Sequence, residues 1–307
     1  MNHAALAGIG VFERGWLSSN NLLIHDADHG AMLIDTGHVN HAGQTLALVQ
    51  HALQGRPLAR IVNTHLHSDH CGGNATLQRA FGAAVFVPEA SAEAVREWRA
   101  DGLTFDDSGQ RCERFGVDGV IRTGDTLAAG GRCFEVIEAP GHDPQSTILF
   151  DAANGLLVSA DALWENGFGV VFPELDGEPG FADVGAVLNL IERLPVQVVV
   201  PGHGAPFTDV AGALARARSR LAGFRTEPRR HARHGVRVLI KYHLMEVREQ
   251  GIATLREWAA GTRLFTTVWQ AHGRDEADLP AEWAEKLVNE LVASGALRRD
   301  GTQVLDA

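Results

Sequence analysis

Thr64-His65-Leu66-His67-Ser68-Asp69-His70 decides how this chain is read. The run follows an apolar segment (Leu58, Ile61, Val62) that reads as a buried strand entering a polar loop. In an extended stretch His65 and His67 point the same way, because side chains alternate with a period of two. The tight turn after them presents Asp69 and His70 from another direction. Imidazole nitrogen and carboxylate oxygen suit a first-row divalent metal, and four donors in two pairs exceed what one open catalytic site needs. The run therefore has room for two metals.

Three later segments each set a ligand-type residue after an apolar run: Ala139-Pro140-Gly141-His142-Asp143, Val158-Ser159-Ala160-Asp161-Ala162 and Val198-Val199-Val200-Pro201-Gly202-His203-Gly204. Together with the first run they resemble the His-x-His-x-Asp-His signature and later ligands of the metallo-beta-lactamase superfamily, over roughly the first three quarters of the chain. The resemblance implies an α/β four-layer αββα sandwich. It also implies a dinuclear site in which His65, His67 and His142 hold one metal, Asp69, His70 and His203 the second, and Asp161 bridges the two. A water shared by the two cations would be the nucleophile, and Asp69 would help to orient it and relay its proton. Zinc is the first choice for a His-rich site of this kind, with iron or manganese as alternatives. Asp35, Thr64 and Ser159 sit beside ligand segments, where they either orient imidazoles or cap strand ends.

The bulk numbers suit a soluble enzyme. A chain of 307 residues accommodates one large domain and a smaller one. Hydrophobic residues at 45% and charged residues at 21% are ordinary globular values. No apolar stretch approaches the roughly 20 residues of a membrane span, and the N-terminus lacks a basic patch with a long apolar core. The expected location is cytoplasmic. Cys71, Cys112 and Cys133 are an odd number without close pairing in sequence, which argues against a disulfide framework. Cys71 reads as a small buried residue under the site. The chain has no Gly-x-Ser-x-Gly elbow, no phosphate loop and no Cys-x-x-Cys pair to support other chemistry.

Along the chain, 21–25 and 31–35 read as a hairpin and 40–55 as a helix ended by glycine. Past the metal run, 73–81 and 91–99 read as helices around a strand at 84–87, while 103–119 has no clear period and is expected to lie over the surface near the site. From Val120 the pattern is a strand meander: 120–122, 133–137, 147–151 and 156–159. An amphipathic helix at 181–194 leads to a buried strand at 196–200. A boundary near residue 226 separates residues 1–226, the expected metallo-beta-lactamase domain, from 227–307. That second part reads as helices at 233–249, 254–259, 265–272 and 280–294 plus a small hairpin at 297–305, a pattern that resembles a winged helix. It either walls the active site or mediates a homodimer.

The net charge of −11 argues against a broad nucleic-acid surface. One region runs the other way: Arg216, Arg218, Arg220, Arg225, Arg229, Arg230, Arg233, Arg237 and Lys241 are interrupted only by Glu227. Arg229, Arg233, Arg237 and Lys241 are four apart and make one basic stripe if helical. It serves either as a solvated face or as an anchor for an anionic tail, such as coenzyme A phosphates, glutathione carboxylates or single-stranded RNA. Trp164, Asn166 and Phe168 follow Asp161 in a loop that could line a pocket. Tyr242, the only tyrosine, either faces the metals or packs in its helix. His38 and His41 read as loop and cap residues. These features point to a metal-dependent hydrolase of an ester, thioester or lactone resembling the glyoxalase II branch. An endoribonuclease of the lactamase-beta-like type and a non-catalytic metal-dependent binding protein are the competing readings.

Overall fold

The computed structural model describes residues 3–99 and 102–307. Six strands, β1 (Ile9–Phe12), β2 (Asn21–Ile24), β3 (Ala31–Ile34), β4 (Leu58–Val62), β5 (Ala84–Pro88) and β6 (Gly119–Ile121), form one sheet in that order. The β1–β3 pairings are antiparallel and those from β3 to β6 parallel. A second sheet has the order β11-β10-β9-β8-β7, from β7 (Thr126–Ala129), β8 (Arg132–Glu138), β9 (Thr147–Asp151), β10 (Leu156–Ala160) and β11 (Val198–Pro201). Only the β10–β11 pairing in it is parallel.

Alternation along the strands builds the layers. Leu22, Ile24, Met32, Ile34 and Val62 of the first sheet meet Phe134, Val136, Leu149, Val158 and Val200 of the second in one buried cluster. The opposite faces carry Leu23, Leu33 and Ile61 in one sheet and Ile148, Phe150 and Leu157 in the other. Helices α1 (Ala42–Leu53), α3 (Asn74–Phe81) and α4 (Ala92–Glu97) cover the first outer face, with α2 (Ser68–Cys71) forming the turn inside the metal run. The second outer face is covered by α7 (Phe181–Arg193) and α8 (Val210–Thr226). Strands covered on both faces read as continuous apolar runs, which explains β3, β9 and β10. The result is the four-layer αββα sandwich.

Two expectations change. Val120 does not open the meander: it pairs with Val87 as the edge of the first sheet, and β7, a strand not foreseen, begins the second. The segment from Leu103 is not only a surface cover, since it forms α5 (Phe105–Ser108) and buries Leu103, Phe105 and Phe115.

Past α6 (Phe172–Leu175), the C-terminal region comprises α9 (Pro228–Val247), α10 (Ile252–Gly261), α11 (Arg263–Val268), a π-helical turn at Trp269–Gly273 and α12 (Pro280–Ala293). Strands β12 (Glu249–Gly251), β13 (Leu297–Asp300) and β14 (Gln303–Asp306) pair in the order β12-β14-β13. This region has its own apolar cluster, into which Val170 and Leu175 from the sandwich also insert. Among the described residues no helix is long and apolar enough to cross a membrane.

Candidate metal centre

Strands β3, β4, β8, β10 and β11 all point their C-terminal ends to one edge of the sandwich, and the ligand-type residues follow them there. The two sheets are tied at this edge. Thr147 N donates to Thr64 O at 2.9 Å, and Asn20 Nδ2 donates to Pro201 O at 2.9 Å. His65, His67 and His142 form one buried group, and Asp69, His70, Asp161 and His203 a second, with the donor atoms of each group within 4.8 Å of one another. Asp161 lies between the groups. Its Oδ2 is 3.3 Å from His142 Nε2 and its Oδ1 3.5 Å from His70 Nε2.

Close approach here depends on two glycines. A Cβ on Gly202 would fall 2.1 Å from Asp161 Oδ1, and one on Gly169 would fall 2.4 Å from His142 Nδ1. Asp35 and Ala160 hold positive φ of 55° and 45°, an uncommon conformation for residues with a Cβ, at the two strand ends that deliver the site.

The imidazoles are oriented from behind. His70 Nδ1 donates to Asp35 Oδ2 at 2.8 Å, His142 Nδ1 to Val170 O at 2.6 Å, and His65 Nδ1 to Thr64 Oγ1 at 3.1 Å. Thr64 Oγ1 in turn donates to Asp35 Oδ2 at 2.8 Å. Ser159 acts otherwise: its hydroxyl donates to Leu163 O at 2.6 Å and caps the turn. His203 Nε2 donates to Asp69 Oδ2 at 2.9 Å.

Burial pushes the pKa of His67 and His142 down to about 4, with neighbouring imidazoles adding to the effect. His65 is lowered well below its ordinary value, first by burial and then by His70. These rings are neutral at physiological pH, the form that binds metals. His70 is the exception. Burial opposes its charge, but Asp161, Asp69 and Asp35 outweigh that and raise its pKa.

The donor set fits divalent metal. The Nε2 atoms of His65, His67 and His70 and the Nδ1 of His203 are buried without hydrogen-bond partners. His67 Nδ1 and His142 Nε2 face each other at 2.7 Å. Lone pairs left dry and unpaired are costly, and a cation shared among them would remove the cost.

The centre opens into a cavity of about 290 Å³ walled by Trp16, Trp164, Phe172, Leu239, Tyr242 and Met245. Trp164 is where the sequence placed it, with Nε1 3.2 Å from Asp161 Oδ1. Tyr242 also faces the cavity, its hydroxyl 2.9 Å from Ser68 Oγ. Asn166 and Phe168 do not reach it. Asn166 is exposed, and Phe168 is buried against Phe224 just after Gly167, which takes a positive φ of 131°.

The basic stripe is mostly neutralised within the chain. Arg229 pairs with Asp275 at 2.9 Å, Arg233 with Glu276 at 2.7 Å, and Lys241 with Asp306 while donating to Ala296 O at 2.6 Å. Lys241 still borders the cavity, whereas Arg237 faces away from it into a groove beside α8. His41 Nδ1 meets Ser18 Oγ at 2.8 Å, and His38 is buried with Nε2 3.6 Å from Glu246. Cys71 is buried as expected, but its Sγ lies 3.8 Å from that of Cys112, a contact that sequence separation concealed.

Sequence reasoning missed Trp16, Gln110 and Phe172. Trp16, a residue of an irregular loop, is 61% exposed and stacks on His203 with ring centroids 5.4 Å apart. Its isolated aromatic ring in a Gly-containing loop was the one available signal.

The metallo-beta-lactamase superfamily profile matches residues 14–203. The chain belongs to this superfamily. A hydroxyacylglutathione hydrolase of Rhodopseudomonas palustris (strain BisB18) is 30% identical over 150 residues, covering 49% of this chain and 50% of that protein. An acyl-coenzyme A thioesterase of Gallus gallus is 30% identical over 162 residues, covering 48% and 57%. The chain thus spans about half the length of the curated relatives it matches. In fold, it superposes on a metallo-beta-lactamase family protein from Thermus thermophilus with a TM-score of 0.58 at 21% identity, over 99% of this chain and 100% of that one. The superfamily and the His/Asp groups together suggest a divalent metal site.

Replacing Asp35 by Asn removes the charge behind His70 at nearly constant volume. Metal affinity is expected to fall about 10- to 100-fold, the usual cost of losing such a partner. Competition against a chromophoric chelator measures it. Wild-type affinity in the variant would mean that packing alone holds His70.

Proposed function

We propose that this chain is a metal-dependent hydrolase of thioesters. The observation that carries the reading is a buried trio of imidazoles beside a second, His/Asp group whose Asp161 also lies 3.3 Å from His142 of the trio, bordering a mostly apolar cavity. His65, His67 and His142 would hold one divalent cation, Asp69, His70 and His203 the other, and Asp161 both. Bound divalent cations supply Lewis acidity and a nucleophile available near neutral pH. Zinc is the first expectation, with iron and manganese as alternatives.

The remaining work falls to this chain's side chains. Trp16, Trp164, Phe172 and Leu239 exclude water and hold the acyl group by apolar contact. Asp69, fixed by His203, presents a carboxylate that orients water and accepts its proton. Ser68 donates its proton to Gln110 Oε1 at 2.7 Å, so Tyr242 donates to Ser68 Oγ. Burial first, and Asp69 next, raise the Tyr242 pKa well above its ordinary value. The phenol therefore stays protonated, and its proton, committed to Ser68 Oγ, fixes the ring in the cavity wall.

Residues 1–226 would form the catalytic domain and 227–307 a smaller one that walls the cavity through α9. The observation behind this division is that Val238, Leu239, Tyr242 and Met245 line the cavity while the region keeps its own apolar cluster. Esters and lactones share the acyl chemistry and rank below thioesters because of the two hydrolases among the relatives.

Protein purified without chelator is expected to contain about two metal ions per chain and to turn over thioesters, with both properties lost on chelation. Elemental analysis together with a panel of acyl thioesters, lactones and single-stranded RNA checks this. RNA cleavage without thioester turnover would move the protein to the nuclease reading. Full metal loading without any turnover would favour a binding protein.

A further inference from the structure

A groove of about 890 Å³ runs between α8 and α9, lined by Arg216, Arg220, Arg229, Arg230, Arg233 and Arg237. Three of these arginines are neutralised: Arg216 by Asp209, Arg229 by Asp275 and Arg233 by Glu276. The other three, Arg220, Arg230 and Arg237, have no carboxylate partner among the described residues. Glu227 and Glu276 are the acids of the lining, and Glu276 is already committed to Arg229 and Arg233.

Of these three cations Arg220 is held in place, Arg237 is part-buried and Arg230 is exposed. The Arg220 guanidinium lies over the rings of Phe168 and Phe224, 5.5 and 5.4 Å from their centroids, and donates to His234 Nε2 at 2.8 Å. Arg237 Nε is buried without a hydrogen-bond partner. Arg230 folds back over α8, its Nη1 3.8 Å from the position of a Cβ on Gly223. Burial, then Arg220 and Arg237, push the His234 pKa down to about 4, as expected where positive charge is crowded. Like charges brought together with no carboxylate in ion-pair contact are costly, and on a chain of net charge −11 such a cluster is out of character.

We propose that this groove binds a phosphate-bearing ligand through Arg220, Arg230 and Arg237. Guanidinium forks match phosphate oxygens in geometry as well as charge. The groove and the catalytic cavity share two structural elements but no lining residue. Arg220 packs beside Gly167, in the same loop as Trp164 of the cavity wall, and Arg237 is followed in α9 by Val238, which lines the cavity. The phosphate can therefore belong to the carrier half of a thioester whose acyl group lies at the metals, an assignment that rests on the function proposed above. A free phosphorylated ligand offers the same chemistry.

Calorimetric titration of the full chain with adenosine 3′,5′-bisphosphate, which carries no thiol to bind metal, tests the site without turnover. One equivalent is expected to bind, more weakly as salt rises. Arg230→Glu and Arg237→Gln are each expected to weaken it about tenfold or more, equal to about 1.4 kcal/mol. Arg230 is exposed, so its replacement leaves the core alone. Competitive inhibition of coenzyme A thioester hydrolysis by the bisphosphate would assign the groove to the substrate's tail. Binding that leaves the thioester KM unmoved would assign it to a free ligand. Titrations that are silent, or the same in wild type and both variants, overturn the proposal. So does a single-stranded oligonucleotide that binds where the bisphosphate does not.

Discussion

Asp161→Ala is expected to cost the protein metal at both positions and to lower kcat/KM by about a thousandfold or more, equivalent to about 4 kcal/mol of lost transition-state stabilisation. His203→Ala is expected to weaken mainly one position. The difference follows from where the carboxylate sits. Asp161 Oδ2 approaches His142 in one group, while Oδ1 approaches His70 in the other. His203 meets ligand-type residues of its own group, Asp69 at 2.9 Å and Asp161 at 3.9 Å, with the His70 ring 5.8 Å away. Removing a shared carboxylate under-coordinates two cations, whereas removing a terminal imidazole under-coordinates one. Metal content after dialysis, measured for both variants beside wild type, separates the two. Equal losses would remove the basis for treating Asp161 as the bridge.

What the sequence disclosed and what it hid have physical causes. The run from Thr64 to His70 was legible because metal chemistry needs several donors at short range, and the later segments because strands entering glycine turns leave a visible pattern. Burial periodicity also revealed most elements of both sheets. It did not say which sheet a strand joins: Val120 looks like its successors but pairs with Val87. Phe168 and Trp164 are four residues apart in one loop, yet one is core and the other faces the cavity, a difference that hydrophobicity alone does not encode. The stripe from Arg229 to Lys241 was correctly helical, but its charge was cancelled by Asp275, Glu276 and Asp306, which lie far along the chain. Arg237 kept its charge and found company in Arg220 and Arg230, across a helix–helix contact that no linear spacing encodes. Trp16 and the contact of Cys71 with Cys112 were missed for the same reason, since the partners are distant in sequence.

Acid is expected to destabilise the metal-free protein through an imidazole outside the ligand set. His231 is 1% exposed, rests between the rings of Phe181 and Phe224, and accepts a hydrogen bond from Val171 N at Nε2, 3.1 Å away. Burial first, and the nearby His234 and Arg220 next, push its pKa down to about 3. An unfolded chain returns it to about 6.5. Above that value both states are neutral and His231 contributes no pH dependence. As pH falls below it, the unfolded chain takes up a proton that the folded one refuses, so stability is lost until the folded pKa is reached. Two units below, at about pH 4.5, the loss from this residue amounts to about 2.7 kcal/mol. His231→Gln retains an acceptor for Val171 N and removes the titration. Urea unfolding of chelated wild type and variant at about pH 7 and about pH 4.5 isolates the contribution, because the carboxylates and the other histidines are common to both. The variant should lose less stability on acidification by about that amount. Equal losses would mean that the folded chain admits the proton at His231, through local opening of the contact between α6 and α9.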